Sequence, residues 1–292
     1  MGLTADLGTF VETISFDALP SDAITLARDA FTDTVGVIMA GVTEPVTKIL
    51  FDEVGTGPRP PQARACLSDV RIAATDATLL NGTAAHALDY DDQALTGHPS
   101  AVLVPAILSE AEELGSTGKD MVTAYVAGYE VWAELVRRGF GYHSKGWHPT
   151  SVFGAPAAAA AIAVLRKLPA ARAGVALSMA ASHAGGLAVN FGTMTKPYHA
   201  SMATRGGQIA ARLVAKGASA SSAAFENHKG FLTAYSSGME ADWDSPSHLG
   251  TEWHIIGHRL CVKRYPTCYF MHRSFDSTVK LLAGTGITAD DV

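Results

Sequence analysis

Apolar positions that recur every three or four residues dominate this chain and predict a succession of helices. In residues 21–41 the apolar side chains keep this spacing, with Ser21 or Asp22 as the expected N-terminal cap and Gly41 as the expected end. The same period predicts further helices. These cover residues 43–55, 76–88, 99–114, 118–138, 150–165, 169–184, 197–216 and 272–283.

Two regions break the helical period. Residues 57–71 are rich in Pro and Arg and predict a loop, with a short strand near residues 65–67. After about residue 225 the chain becomes polar and aperiodic, and residues 254–266 then alternate enough to predict a strand. The pattern therefore predicts a mainly α fold whose C-terminal part is less regular and less helical.

Composition narrows the class of protein. Of 292 residues, 48% are apolar and 17% are charged, which favours closely packed helices in an oligomer. The net charge of -6 argues against a general nucleic-acid-binding protein, but it leaves room for a local cationic site that binds an acidic substrate. Three cysteines without a CxxC pair favour a reducing compartment. The start of the chain lacks a signal-peptide pattern, and the longest apolar run, residues 155–165, is too short to span a membrane, so we expect a soluble, cytoplasmic protein.

The densest polar cluster lies in the sequence NGTAAHALDYDDQALTGHPS. His86, Asp89 and Tyr90 are three and four residues apart, so on a helix they share one face. Carboxylates and imidazoles flanked by Ala and Leu are costly to bury unless they are paired. One interpretation is an exposed acidic loop at a helix end, and a second is acid–base catalysis with Asp89 as base and His98 as its partner. The third is a metal site, which would use His86, Asp89, Asp92 and His98.

Cationic side chains follow in three further clusters. His148 stands at the junction of a loop and a helix, where the helix N-terminus favours anions. Lys196 stands directly before another Pro-started helix, with His199 after it, and a lysine there is favourable when an anion lies between it and the helix. Lys263 and Arg264 precede a Pro-containing turn. A loop histidine and an exposed Lys-Arg pair are also ordinary surface features. No GxGxxG, GxxxxGK[ST], GxSxG or HExxH motif supports a nucleotide, serine-hydrolase or zinc-protease reading.

Several short motifs occur in a fixed order along residues 81–266. They are Asn81-Gly82 with His86, Asp89-Tyr90-Asp91-Asp92, His98-Pro99-Ser100, His148-Pro149-Thr150, Ser182-His183-Ala184-Gly185, Thr195-Lys196-Pro197 with His199, and Lys263-Arg264-Tyr265-Pro266. In this order they resemble the MmgE/PrpD family, which includes 2-methylcitrate dehydratase, cis-aconitate decarboxylase and iminodisuccinate epimerase.

The resemblance implies an architecture and a site. It implies a large helical domain over residues 1–252, the beginning of a smaller α+β lid domain over residues 253–292, an active site in the cleft between them, and a homodimer that needs no metal or organic cofactor. The positions associated with the active site are Asp89, His98, His148, Lys196 and Lys263. The positions expected to contact substrate are Gln93, where many family members carry Thr, together with His199 and Arg264.

The resulting hypothesis is a cofactor-independent lyase that acts on a small polycarboxylate, foremost a dehydratase of a 2-methylcitrate-type substrate. Lys196, Lys263 and His148 are expected to bind carboxylates, and preorganised cations stabilise the charge that develops when a proton next to a carboxylate is removed. The same groups serve decarboxylation or epimerisation. A metal-dependent hydrolase and a non-catalytic relative are the rivals. Family members are longer, so we expect a fragment or a truncated homologue.

Overall fold

The computed structural model describes residues 2–55, 57, 60–139, 141–142, 144–236 and 241–291. Helices dominate this part of the chain, which confirms the predicted mainly α fold. A short antiparallel ladder joins β1 (Ala63–Arg64) to β2 (Arg71–Ile72). The helices are α1 (Leu3–Thr13), α2 (Ser21–Gly41), α3 (Pro45–Val54), α4 (Ala74–His86), α5 (Pro99–Leu114), α6 (Gly118–Arg138), α7 (Pro149–Leu165), α8 (Ala170–Ala181), α9 (Thr195–Ala215), α10 (Phe231–Tyr235), α11 (His254–His258) and α12 (His272–Leu282).

The strand predicted over residues 254–266 and one predicted cap are wrong, whereas a short strand, β1, lies directly before residues 65–67, near which one was predicted. Residues 65–67 form a 3-10 turn between β1 and β2, and α2 begins after Pro20 with no side chain capping it. Residues 254–266 form α11 and then an irregular segment whose single bridge joins Cys261 to Gln93. Within this segment the buried residues are Ile255 and Lys263. Helix α1 was not among the predicted helices.

Helix α7 lies at the centre of the bundle. Apolar side chains surround it on all faces, mostly Ala, and it packs against α1, α5, α6, α8 and α9. Its small side chains let α9 approach closely: a Cβ at Gly207 would lie 2.3 Å from the carbonyl oxygen of Ala155. This close packing fixes the positions at which α7 and α9 begin, and both beginnings open onto the same cleft.

The cleft has a volume of about 1410 Å³ and is lined by the ends of several helices. Helix α4 ends there, while α3, α5, α7 and α9 begin there, so four helix N-termini open onto it. Helix N-termini carry partial positive charge and exposed N–H groups, and both favour anions. This end of the bundle therefore favours the binding of an anion.

No single helix in the described part of the chain has both the length and the apolar composition to cross a membrane. Helices α2 and α3 taken together have that length and composition, but the pair is bent by 86°. The predicted domain boundary after residue 252 stays a prediction.

Candidate active site

Asp89 owes its position to an abrupt end of α4. The helix stops at His86, and Asp89 adopts a φ of 49°, in the left-handed region that Asp tolerates better than most residues. The shared helical face predicted for His86, Asp89 and Tyr90 is therefore wrong. The turn instead directs the Asp89 carboxylate into the cleft, where its side chain lines the wall.

Two lysines from distant parts of the chain meet on Asp89. The Nζ atom of Lys263 lies 2.7 Å from Oδ1 and 2.5 Å from the main-chain oxygen of Asp89, and Nζ of Lys196 lies 3.1 Å from Oδ2. Burial alone would raise the pKa of Asp89, but Lys196, His98 and Lys263 together outweigh it and lower that pKa. Asp89 is thus ionised, and at this point of the cleft two ammonium groups face one carboxylate.

His98 is oriented by Asp91, a fully buried carboxylate behind the cleft. Its Nδ1 atom lies 3.0 Å from Oδ2 of Asp91 and 3.0 Å from the main-chain oxygen of Asp92. Both neighbours are acceptors, so Nδ1 carries a proton and donates. Nε2 then points the other way, 3.7 Å from Oδ1 of Asp89. Asp91 therefore fixes which ring nitrogen of His98 faces the reacting groups.

Asp91 serves a second imidazole in the same manner. Nδ1 of His86 donates to both of its oxygens, at 2.9 and 3.0 Å. Burial would raise the pKa of Asp91, but His86 and His98 reverse that effect and hold it well below its ordinary value. Burial lowers the pKa of His86 to about 4, with His98 and Lys196 contributing, so its ring is neutral. The pair of imidazoles thus shares one buried negative charge.

His148 completes a row of rings along the cleft. It caps α7, and its ring stacks on His86 at 5.8 Å between centroids and meets Phe191 edge-on at 4.9 Å. Burial first, then the neighbouring histidines and Lys196, lower the pKa of His148 to about 2. His148 is therefore an uncharged hydrogen-bonding group, whereas the sequence led us to expect a cation that binds carboxylates.

A second buried acid lies directly behind the site. The Asp92 side chain accepts a hydrogen bond from Ser100, whose Oγ lies 2.7 Å from the hydroxyl of Tyr125. Burial first, and then Asp91 and Asp33, raise the pKa of Asp92 to about 7. Asp91 and Asp92 are adjacent in sequence and equally buried, yet their surroundings push their pKa values in opposite directions.

The three residues predicted to contact substrate lie at different places relative to the cleft. Gln93 lines the cleft, and its backbone bridges to Cys261. His199 is half-buried behind His148, with ring centroids 5.7 Å apart, and is not among the residues of the cleft wall. Arg264 is 74% exposed and pairs with Asp276 at 3.3 Å, so its side chain faces away from the cleft. The predicted contacts of His199 and Arg264 with substrate are therefore not supported.

A divalent cation does not fit the side chains as they are paired. Potential ligand atoms of His86, Asp89, Asp91 and His98 lie within 4.8 Å of one another, whereas Asp92, which the metal hypothesis needs, is not in this group. The Asp89 oxygens already face two ammonium groups, and the Asp91 oxygens accept two imidazole N–H bonds. A metal would have to displace these partners while lying beside two positive charges.

Asp91 was missing from the predicted site residues, and His86 entered them only in the metal hypothesis. The signal available in the sequence was the cost of burying several acids and imidazoles among alanines, which implied that they pair with one another. The sequence could not reveal which acid pairs with which imidazole, because the pairing depends on the left-handed turn at Asp89.

This chain is similar in sequence to known proteins of one family. The MmgE/PrpD N-terminal domain matches residues 5–244. Human cis-aconitate decarboxylase is 30% identical over 220 residues, which are 73% of this chain and 45% of the human protein. A cis-aconitate decarboxylase of Aspergillus terreus is 25% identical over 296 residues, covering 96% of this chain and 60% of the relative. The cis-aconitate decarboxylase-like protein oryM of Aspergillus oryzae is 28% identical over 280 residues, covering 88% and 57%.

The chain thus spans about half of the length of the curated relatives that it matches. The family match covers most of the chain and includes Asp89, His98, His148 and Lys196, while Lys263 lies beyond it. On the extent of that match, this chain belongs to the MmgE/PrpD family.

Proposed function

We propose that this chain carries the substrate-binding and proton-transfer groups of a cofactor-independent lyase for a small polycarboxylate. One observation carries the proposal: Asp89, ionised and held between Lys196 and Lys263, lies in the cleft beside the Nε2 face of His98. This arrangement supplies fixed positive charge and a proton-moving group at one place, and lyase chemistry on a polycarboxylate needs both.

Substrate carboxylates would bind where the cations already point. Lys196 is partly exposed to the cleft and also lies over the ring of Phe191, at 5.6 Å. Lys263 is fully buried on its side chain, so its charge is poorly screened by water. His148, uncharged, adds a hydrogen bond at the N-terminus of α7, where the helix itself favours an anion.

We favour decarboxylation within this class because the relatives named above are cis-aconitate decarboxylases or like them. In that reaction the bond from carbon to one carboxylate breaks and CO2 leaves. The electron pair passes into the carbon skeleton, which then takes up a proton. The two ammonium groups stabilise the negative charge after CO2 has left and before the proton is taken up.

His98 is the proposed proton donor. Asp91 holds its Nδ1, so that Nε2 faces Asp89 and the cleft in which substrate would bind. Asp89 has a lowered pKa and is therefore a weak base. Its proposed role is to hold the two lysines and His98, in place of the proton acceptor that the sequence suggested. Elimination of water from a 2-methylcitrate-type acid stays the alternative reaction on the same groups.

The test is turnover of two substrates by the same preparation. The chain is incubated with cis-aconitate and, separately, with 2-methylcitrate, and NMR follows the products together with CO2 release. CO2 from cis-aconitate supports the favoured reaction, and an unsaturated acid from 2-methylcitrate supports the alternative. Absence of both reactions contradicts the lyase proposal for this chain.

Variants connect the turnover to the site. Lys196→Ala removes an ammonium group, and Asp89→Asn removes the carboxylate that holds both lysines and His98. Each is expected to lower kcat by at least about two orders of magnitude, the usual scale for charge-stabilising groups. Lys216→Ala, an exposed lysine just after the same helix α9, is the matched control and is expected to leave turnover unchanged. Near wild-type turnover in both site variants would remove the basis of the assignment.

A second copy of the chain is the proposed partner. The low charged fraction of the sequence supports it, as do exposed apolar side chains near the cleft, among them Leu187, Val189 and Met194. Light scattering coupled to size exclusion, at micromolar chain concentration, tests it directly: a mass of one chain contradicts it.

A further inference from the structure

Lys263 reaches Asp89 from a segment that has little apolar packing of its own. Between His254 and Lys263 only Ile255 and Lys263 itself are buried, and the remaining side chains are half-buried or exposed. Ile256 and Leu260 pack against the core only in part, and beyond Ile255 no apolar side chain of the segment is fully buried. Hydrogen bonds to the helical body therefore contribute to its position relative to Asp89.

Helix α6 supplies those hydrogen bonds near the start and in the middle of the segment. Both carboxylate oxygens of Glu130 accept a backbone N–H, one from His254 and one from Ile255, each at 2.9 Å. One residue earlier on α6, the hydroxyl of Tyr129 donates to the main-chain oxygen of Arg259 at 2.8 Å. Arg259 adopts a φ of 57°, so this second anchor lies at the turn where the chain leaves α11.

A third anchor leads directly into the site. Cys261 and Gln93 exchange two backbone hydrogen bonds, at 2.9 and 3.1 Å, and Gln93 follows the Asp89 turn by four residues. The segment is thus held at its beginning, at its turn and next to Lys263. Two of the three anchors are side chains of α6 that do not line the cleft.

The burial of Glu130 destabilises the fold unless its carboxylate accepts these hydrogen bonds. It is fully buried, and a buried carboxylate is destabilising unless hydrogen bonds compensate for its lost hydration. The next acid on the same face, Glu134, already pairs with Arg137 and Arg138, and it lies 3.9 Å from Nε2 of His254. The two backbone N–H groups of α11 are the hydrogen-bond donors that Glu130 contacts among the described residues.

We propose that Glu130, assisted by Tyr129, is a positioning residue for Lys263: it fixes α11 on α6 and so places the Lys263 ammonium on Asp89. The inference rests on the proposed function, because it assigns the carboxylate-binding role to Lys263. Glu130 acts only through the backbone of the segment and touches neither Asp89 nor the cleft.

A double-mutant cycle tests the connection. Glu130→Gln keeps the shape but leaves one backbone N–H facing an amide NH2 group, and Lys263→Met removes the ammonium while keeping the apolar stem. The dissociation constant for cis-aconitate is measured by isothermal titration calorimetry on the full chain, the two single variants and the double variant. Glu252→Gln, an exposed acid two residues before α11, is the control.

The expected pattern is non-additive. Glu130→Gln should weaken binding about tenfold when Lys263 is present, the scale of one lost charge-assisted hydrogen bond, and less than about twofold in the Lys263→Met background. Glu252→Gln should leave the dissociation constant unchanged. Equal weakening in both backgrounds would show a general effect on the fold and would overturn the inference, as would no weakening in either.

Failure of the proposed function has a separate signature. If Lys263→Met alone leaves binding unchanged, Lys263 is not a carboxylate-binding group, and both proposals fall together. If Glu130→Gln does not fold by circular dichroism, the same cycle is run with Tyr129→Phe, which removes only the hydroxyl that donates to Arg259. Non-additivity with Lys263→Met is then the supporting result, and additivity the contradicting one.

Discussion

Replacing Asp92 by Asn tests whether a buried carboxyl group beside the site remains protonated in the folded protein. Asp92 is fully buried, one of its oxygens accepts from Ser100, and its Oδ1 has no hydrogen-bond partner among the described residues. Asn keeps an acceptor for Ser100 and has nearly the same shape. The substitution therefore removes the ionisation and changes little else.

The size of the effect follows from the pKa of Asp92. Burial first, with Asp91 and Asp33 in the same direction, raises it from 3.8 to about 7 in the folded protein. Because the folded pKa lies above the unfolded one, the stabilisation is complete below pH 3.8 and is lost as the pH rises through about 7. At about 1.4 kcal/mol for each tenfold change in proton affinity, the loss reaches about 4 kcal/mol at pH 8.

Urea unfolding followed by circular dichroism at pH 5, 6, 7 and 8 measures this loss. The free energy of unfolding of Asp92→Asn should rise relative to wild type by about 3 kcal/mol between pH 5 and pH 8. The comparison with wild type is essential, because burial lowers the pKa of His86 to about 4 and makes its contribution increase between pH 4 and 6.5.

That opposing contribution is common to both proteins and cancels in the difference. Asp29→Asn, at an exposed position on α2, is the control and should give a difference that does not depend on pH. A difference for Asp92→Asn that stays constant within about 0.5 kcal/mol from pH 5 to 8 would refute the reasoning, since one pH unit alone is worth about 1.4 kcal/mol.

Three further changes probe other features. Asp91→Asn removes the charged one of the two acceptors at Nδ1 of His98, the other being the main-chain oxygen of Asp92, and should lower turnover at least about tenfold; long-range proton–nitrogen NMR spectra of the rings follow the tautomer, and unchanged turnover would contradict the orienting role. Gly207→Ala should destabilise the fold by about 1–3 kcal/mol because its Cβ would meet the backbone of α7, whereas Gly36→Ala, with nothing within 4 Å, should not; equal melting temperatures would contradict the close packing. Burial raises the pKa of Cys66 to about 11, so iodoacetamide at pH 8 should label it at least about tenfold more slowly than the two exposed cysteines, as peptide mass spectrometry can measure.

The sequence was sufficient for most helices because their signal is local. Residues 21–41 and 118–138 keep the apolar period over many turns, and the structure has helices over the same ranges. The strand expected at residues 254–266 was wrong because the segment begins as the short helix α11, and Lys263, a polar position of the pattern, is buried by its pairing with Asp89. Periodicity cannot distinguish a charged side chain drawn inward by a partner from a polar one facing solvent.

The sequence predicted which residues form the site better than it predicted how they are paired. Asp89, His98, Lys196 and Lys263 meet as the resemblance suggested, although their roles stay proposals. The pairing of Asp91 with two imidazoles was not predicted, since it needs a left-handed turn that a helical pattern hides. Neither was the neutrality of His148, which comes from burial and neighbouring groups supplied by other helices.

Lys263 lies beyond the stretch that matches the family's N-terminal domain, so the two ammonium groups of the site come from differently packed parts of the chain. The helical bundle carries Asp89, His98, His148 and Lys196 on its own core packing, while the second ammonium arrives on a segment held by a few hydrogen bonds. Substitutions in that segment can alter the charge presented to substrate without disturbing the alanine-rich centre. The packing that stabilises the fold and the contacts that place Lys263 are therefore made by different residues.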